Sequence, residues 1–250
     1  MRKHLVWVVG LAAIFAASGI AIAASRTTQE ISGKATPSRL PENKRVGVSL
    51  KVSETTGTTD PSGVQPATRD ATVLLDRDFR LTTKGLPRCR LGQLPGKSTA
   101  EAMKACGDSK VGTGSAVARI SNGSGGHTDI PAVVTAFNGK PGSGGLPSRG
   151  GSPIIILHIV IGANTVEVPL SIQRVTGTYG TKLATFRGGG SQPIRNLTLT
   201  LHRSFKAHGK RQHYVSARCS HRKLRYKGRF TYVGSPPLTA RDSQRCTVTQ

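Results

Sequence analysis

Residues 154–161 read IIILHIVI, a run that is apolar on both faces of an extended strand except at His158. A strand with two apolar faces belongs in the middle of a packed sheet. Residues 162–164 (GAN) predict a turn into a second strand over 166–172, where apolar and polar residues alternate. Pro169 lies on the outward face of this second strand and predicts an edge position, because proline cannot donate a ladder hydrogen bond.

Working outward from this pair, the same period of two recurs along most of the chain. It begins near residue 45, where Val46, Val48, Leu50 and Val52 are separated by polar residues. Further short strand signals lie at 71–75, 79–82, 115–120, 130–137, 183–186, 197–201, 214–219, 224–233 and 246–248. About eleven strands of this kind predict an all-β protein. We expect an antiparallel β-sandwich, built as one large or two small β units.

One short helix is predicted between Cys89 and Cys106. Ser98 and Glu101 have the spacing of a capping box, in which each side chain bonds the backbone N–H of the other residue. The residues that follow, 101–105, are good helix formers.

The first 24 residues predict a signal peptide. Residues 1–4 are basic, residues 5–20 are mainly apolar, and 21–23 (AIA) match the small-x-small rule for cleavage. We expect cleavage after Ala23 or Ala24, and an uncleaved membrane anchor is the alternative. The protein is therefore predicted to be secreted, and to meet the membrane only during export.

Two further boundaries follow from composition. Residues 25–43 are polar, include two prolines and lack periodicity, so they predict a flexible leader. Residues 44–250 are predicted to form the β-sandwich domain. The loop 138–152 holds six glycines and two prolines, and it is the position at which that domain could divide into two units.

Four cysteines in an exported chain predict two disulfides. Three connectivities are possible. The local pairs Cys89–Cys106 and Cys219–Cys246 are favoured, because each pair brackets a segment that would turn back on itself. Zinc is the disfavoured alternative, since no two cysteines form a C-x2-C pair.

The chain is strongly basic, and the excess is uneven. The formal net charge is +24, and residues 173–250 hold sixteen Lys and Arg but one acid, Asp242. Such a charge attracts nucleic acid, phosphate-rich wall polymers and anionic lipid surfaces. The alternative is that the charge serves solubility alone. The single tryptophan, Trp7, falls in the predicted signal peptide, which argues against aromatic platforms for sugars or single strands.

The clearest local pattern lies at 223–232. Apolar side chains alternate there with four cations, so the cations share one strand face. Because same-face residues of a strand are about 6.6–6.8 Å apart, these four would form a straight row of positive charge. The candidate polyanion contacts are Lys223, Arg225, Lys227 and Arg229. The alternative is a solvated face whose lysines discourage edge-to-edge aggregation.

No sequence motif assigns a catalytic, cofactor-binding or metal-ligating residue, and we expect no cofactor. Residues 92–98 (GQLPGKS) resemble a phosphate-binding loop, but three residues separate the glycines where that motif requires four. Residues 220–223 (SHRK) match S-x-x-K without its companion motifs. His158 is predicted to be a hydrogen-bonded core or inter-strand histidine.

The acids offer equally little for catalysis. Asp76 and Asp78 share a strand face, and the adjoining Arg77 and Arg80 predict an ion-paired turn. A glycosidase needs two placed carboxylates, and no spacing of that kind is present. The protein is therefore predicted to be non-enzymatic.

Two segments carry a resemblance to known proteins. Residues 86–89 (LPRC) with 105–116 (ACGDSKVGTGSA), and residues 197–199 (LTL) with 214–219 (YVSARC) and Cys246, are similar to segments of a diffuse group of exported proteins of high-GC Gram-positive bacteria. The group often has proline after the cysteine where this chain has Gly107. The resemblance covers about residues 70–250. It implies an exported, disulfide-containing β-protein, and it carries over no active site.

Together these patterns predict a secreted, cell-envelope or extracellular protein. It would bind an anionic cell-wall polymer, or another polyanion, through its basic C-terminal sheet. The alternative is a structural or protein-interaction β-module with no polyanion ligand, and an enzyme acting on wall polymers ranks third.

Overall fold

The computed structural model describes residues 26–61, 63–141, 152–185, 193–207 and 209–249. The predicted signal peptide, with Ala23 and Ala24, lies outside these residues. The described chain is all-β with one short helix, as predicted. Within it, no helix has the length and apolarity that crossing a membrane requires.

The helix α1 spans Thr99–Cys106, and a single 3-10 turn follows at Gly107–Ser109. The strands are β1 Thr27–Thr36, β2 Arg39–Pro41, β3 Val46–Gly47, β4 Ser49–Thr58, β5 Thr68–Asp76, β6 Phe79–Leu81, β7 Lys110–Ser121, β8 His127–Gly139, β9 Ile154–Ile161, β10 Asn164–Arg174, β11 Tyr179–Thr185, β12 Ile194–Leu201, β13 Ser204–Ala207, β14 Lys210–His213, β15 Val215–Ala217, β16 Lys223–Tyr232, β17 Ser235–Arg245 and β18 Thr247–Thr249.

Eleven strands form one antiparallel sheet in the order β1-β4-β12-β7-β8-β9-β10-β11-β5-β16-β17. The sheet rolls until its first and last strands meet. Side chains of β17 join the two edges: Asp242 accepts a hydrogen bond from the Gly33 amide at 2.8 Å, and Gln244 bonds the Ala35 amide at 2.6 Å and its carbonyl at 3.0 Å. The layers that pack against each other are therefore opposite sides of one rolled sheet.

The run at 154–161 is β9, and both of its faces are buried. Ile155 and Leu157 face the interior of the rolled sheet, whereas Ile154 and Ile156 belong to a second apolar cluster on the outside. The segment that carries α1 supplies the rest of that cluster, including Leu94 and Ala102. The prediction of a strand in the middle of a packed sheet is thus confirmed.

The expected edge position of Pro169 is wrong, because β10 lies between β9 and β11. Pro169 faces Ile156 across the β9 pairing. Among the described residues, the pairing with β11 begins only at Leu170. Proline is therefore accommodated just outside the part of β10 that is paired on both sides.

The predicted flexible leader at 25–43 is also corrected. Residues 27–36 form β1, which pairs with β4 along its whole length, and β2 pairs with β18. Ile31 is the one large apolar residue among the inward positions of β1, so the strand carries a weak apolar signal. A side chain at Gly33 would meet the ring of Tyr226 at 2.3 Å, so glycine is needed for this close packing.

Small elements cover one end of the rolled sheet, which we call the capped end. The β3-β15-β6 sheet, the β2–β18 pair and the disulfide Cys219–Cys246 lie there, and their apolar residues join the main core. The opposite end carries the turns β7–β8, β9–β10 and β16–β17, and we call it the hairpin end.

The second disulfide, Cys89–Cys106, ties the α1 segment together on the outside of the sheet. Both predicted local pairings are therefore present. Strands β8 and β9, on the two sides of loop 138–152, pair directly, so this loop does not divide the chain into two sheets.

Candidate anion-binding surface

Strand β16 places its four predicted cations on the outside of the rolled sheet. Its burial alternates, with Leu224, Tyr226, Gly228, Phe230 and Tyr232 buried. The cations between them, which we call the cation row, are exposed or half-buried: Lys223, Arg225, Lys227 and Arg229. Since β16 lies between β5 and β17, the cation row does not serve to protect a free sheet edge.

Strand β17 adds a second line of cations beside the cation row. Arg241 lies directly opposite Lys227, and Arg245 lies directly opposite Lys223. Both arginines are exposed. Like charges directly opposite on neighbouring strands destabilise a sheet. This arrangement therefore costs stability and is not explained by folding.

One member of the cation row is tied to an acid. Asp76 on β5 accepts hydrogen bonds from the Arg225 amide at 3.2 Å and from its guanidinium at 3.4 Å. In the described part of the chain no acid pairs with Lys223, Lys227 or Arg229. These three cations are available to an external anion.

A buried acid at the capped end holds the start of β16 in place. Asp78 accepts hydrogen bonds from Arg218 Nε at 2.8 Å and from the amide and hydroxyl of Ser220 at 2.7 and 2.8 Å. Burial by itself raises the pKa of Asp78, but the hydrogen bonds from Ser220 and Arg218 outweigh it, and the pKa is lowered.

The partners of these two acids differ from the prediction. Arg77 and Arg80 adjoin Asp76 and Asp78 in sequence, but the ion pairs come from Arg218 and Arg225. His221 approaches both carboxylates, and the possible ligand atoms of these three residues lie within 4.8 Å of one another. The carboxylates already accept hydrogen bonds from protein donors, so an ion-pair network explains the cluster.

A basic groove of about 990 Å³ opens beside this network. Its wall comes from Arg77 with residues 79–84, from residues 172–181 around the turn between β10 and β11, from residues 152–153 and from Arg45. Its described lining includes no acid. The lining cations are Arg45, Arg77, Arg80, Lys84 and Arg174.

Mutual repulsion marks the groove as a region of positive potential. Burial lowers the pKa of Arg45, and the neighbouring charges of Arg218, Arg80 and Arg174 lower it further, against the attraction of Asp78. The Arg45 guanidinium is held by the backbone carbonyls of Asp78 and Arg77, at 3.0 and 2.9 Å.

The groove adjoins the cation row. Arg77 lines the groove and contacts His221, while Arg225 of the cation row bonds Asp76 in the same network. The β13–β14 ribbon, which carries further cations, lies beside Gly85 next to the groove. The sequence did not reveal the groove, because its cations come from three separate segments.

The remaining motif residues have structural roles. The loop 92–98 cannot offer its amides to a phosphate, because Glu167 accepts hydrogen bonds from Gly92 and Leu94 at 2.7 and 2.8 Å. His158 is buried, with Nε2 at 2.9 Å from the Lys97 carbonyl oxygen, which confirms a hydrogen-bonded core histidine.

Ser220 and His221 do not form a catalytic relay with Asp78. In a serine triad the imidazole lies between the hydroxyl and the carboxylate. Here the Ser220 hydroxyl bonds Asp78 directly at 2.8 Å, so the imidazole of His221 does not lie between the hydroxyl and the carboxylate.

Comparison of the chain with protein-family models, with curated proteins and with solved structures finds no match.

Proposed function

We propose that this is an exported, non-enzymatic protein of the cell envelope or extracellular space that holds an anionic polymer on its basic surface. The surface combines the cation row, Arg241 and Arg245 of β17, and the basic groove. The observation that carries the proposal is the pairing of like charges across β16 and β17, which costs stability and creates dense positive charge.

Export is supported by two features. The first 24 residues have the pattern of a secretory signal. The two disulfides are typical of proteins that fold in an oxidising compartment. An envelope or extracellular location brings the basic surface into contact with phosphate-rich and uronate-rich polymers.

The mode of binding follows from the strand geometry. Cations about 6.6–6.8 Å apart along β16 meet a repeating negative charge, while β17 contacts the same chain from the side. Counterions released from the polymer supply most of the free energy, so binding weakens as salt rises. Flexible side chains on a smooth strand do not read the polymer backbone, so charge density decides the ligand.

The test is binding to purified cell wall and to a defined polyphosphate across a salt series. The variant K223S/K227S/R229S removes the three unpaired members of the cation row and leaves Arg225, which holds Asp76. We expect the slope of log K against log salt to decrease in magnitude by about two to three, because each lost phosphate contact contributes about 0.9 to it.

The matched control removes three exposed cations from the α1 segment, on the far side of the rolled sheet. The positions are Arg88, Arg90 and Lys104, each changed to Ser. This control has the same net charge as the cation-row variant. Equal binding by the two variants would contradict the proposal and favour a module whose charge serves solubility.

A further inference from the structure

The interior of the rolled sheet contains a narrow apolar cavity. Its volume is about 140 Å³, and aliphatic side chains from seven strands form most of its wall. A space of this volume holds a small hydrocarbon group, since an engineered cavity of about 150 Å³ holds one benzene molecule.

One acid faces this cavity. Glu54 lies on β4 between Val52 and Thr56, on the inward face of the strand, and it lines the apolar space. Burial raises the pKa of Glu54 to about 7. Among the described residues it has no hydrogen-bond or ion-pair partner. An unpaired carboxylate in such a place costs stability, which points to a use in binding.

The described residues on the strands around Glu54 offer its carboxylate no hydrogen-bond donor or cation. β1 and β12 place Ile31 and Leu197 directly beside it. From β16, the Tyr232 hydroxyl is hydrogen-bonded to Gln29, and burial followed by the charge of Glu54 raises the pKa of Tyr232 to about 12.

The charged group at the cavity mouth does not neutralise Glu54 either. Arg69 of β5 lines the cavity, but its guanidinium bonds Asp70 at 3.2 Å and its side chain is 60% exposed. The mouth therefore opens to solvent at the hairpin end, and a ligand head group that enters it meets the carboxyl of Glu54.

We propose that the cavity binds a small amphiphile with a short aliphatic chain and a basic amine, whose ammonium group pairs with Glu54. The chain lies along the leucines of β12 and displaces water from apolar surface. The ammonium supplies the hydrogen bonds that Glu54 lacks. A carboxylate amphiphile is disfavoured because its head would repel Glu54, and an alcohol supplies only a neutral bond.

This binding site is independent of the basic surface and has its own test. Calorimetric titration of the purified, disulfide-bonded protein with hexylamine, hexanol and hexanoate compares the three head groups. We expect one amine per protein, bound about ten- to a hundredfold more tightly than the alcohol near pH 8. Glu54 at the cavity wall has a pKa that burial raises to about 7, whereas burial raises the pKa of Tyr232 to about 12.

Two variants separate the head group from the chain. Glu54→Gln keeps the shape, so it should lose the preference for the amine and retain binding of the alcohol. Ala116→Phe fills the cavity from β7 and should abolish binding of all three. Ala116→Leu is measured beside it, because a smaller insertion disturbs packing less. The control Glu30→Gln removes an exposed acid from the outward face of β1.

Three results would overturn the proposal. They are equal affinity for amine and alcohol in the wild type, an unchanged amine preference in Glu54→Gln, or full amine binding in both Ala116 variants. Each of these leaves polymer binding at the cation row untouched, so the two proposals fail separately.

Discussion

Two acids of this protein, the buried Asp78 and the half-buried Glu54, lie in opposite surroundings. At the capped end, Asp78 accepts hydrogen bonds from Ser220 and Arg218, and these donors lower its pKa. Inside the rolled sheet, Glu54 faces aliphatic side chains, and burial raises its pKa to about 7. Chemically similar groups are thus stabilised as an anion in one region and penalised as an anion in the other.

The difference distinguishes an acid that holds the fold together from an acid that can still bind a ligand. Asp78 ties the segment before β16 to the segment after β5, so its donors are part of the fold. Glu54 ties nothing together. A charged group that the fold leaves unpaired lowers stability, and it keeps its hydrogen-bonding capacity for a ligand.

The largest expected effect comes from breaking the structural acid. Asp78→Ala leaves Arg218 and the Ser220 amide without their acceptor. Removing one partner of a buried ion pair costs 3–5 kcal/mol, and since the Arg218 side chain is 30% exposed we expect about 3 kcal/mol. Urea unfolding with the disulfides intact measures it.

The control for this variant is Asp108→Ala, which removes an exposed acid that has no ion-pair partner among the described residues. We expect a change within about 0.5 kcal/mol. A loss of stability for Asp78→Ala that matched the control would show that the donors around Asp78 contribute nothing net.

A difference between apolar and polar inward side chains explains which strands could be predicted from the sequence. The central strands bury aliphatic side chains, so alternation identified β4, β10 and β16, and a continuous apolar run identified β9. The two strands that meet at the closure, β1 and β17, were missed. Their inward positions include Gly33, Asp242 and Gln244, which pack or bond across the closure and carry no apolar signal. Polar side chains that bond a distant backbone look like loop residues in a sequence.

The inward position of Glu54 could be predicted from the sequence. The alternation of Val46, Val48, Leu50 and Val52 places even-numbered residues inside, and one more step along β4 places Glu54 inside as well. The disulfides and the cation row followed from local spacing. The basic groove could not be predicted, because the rolled sheet alone brings Arg45 and Arg174 beside residues 77–84.

The intermediate effect is the pH dependence of stability that Glu54 contributes. Its pKa is raised from 4.5 to about 7 in the folded protein. The folded state therefore holds a proton that the unfolded state releases. The stabilisation is complete below pH 4.5 and is lost as pH rises to about 7, amounting to about 2 kcal/mol for this half-buried side chain.

Glu54→Gln should remove that dependence. We expect the variant to be more stable than the wild type at pH 8 and similar to it at pH 4.5. Asp78 acts in the opposite direction in both proteins, because its lowered pKa loses stability only as pH falls below 3.8. Equal slopes between pH 4.5 and 7 in wild type and variant would mean that Glu54 is solvated as an anion.

The smallest expected effect concerns the unpaired charges on the outer surface. Lys227→Thr removes one of two like charges that face each other across β16 and β17, so we expect stability to rise by about 0.5 kcal/mol. Because these groups are exposed, the gain should disappear near 1 M salt, where screening acts over about 3 Å. Urea unfolding at low and high salt measures the change.

Lys182→Thr is the matched control for this last variant. Lys182 projects from β11 opposite Leu74 and Gln173, so no cation faces it and no gain is expected. If the Lys227→Thr variant is more stable and also binds the polymer less tightly, the charge of Lys227 serves binding and not folding. Lys227→Thr could instead lower stability at low salt. Lys227 would then make a favourable electrostatic contact with a group outside the cation row, and the polymer proposal would lose its main support.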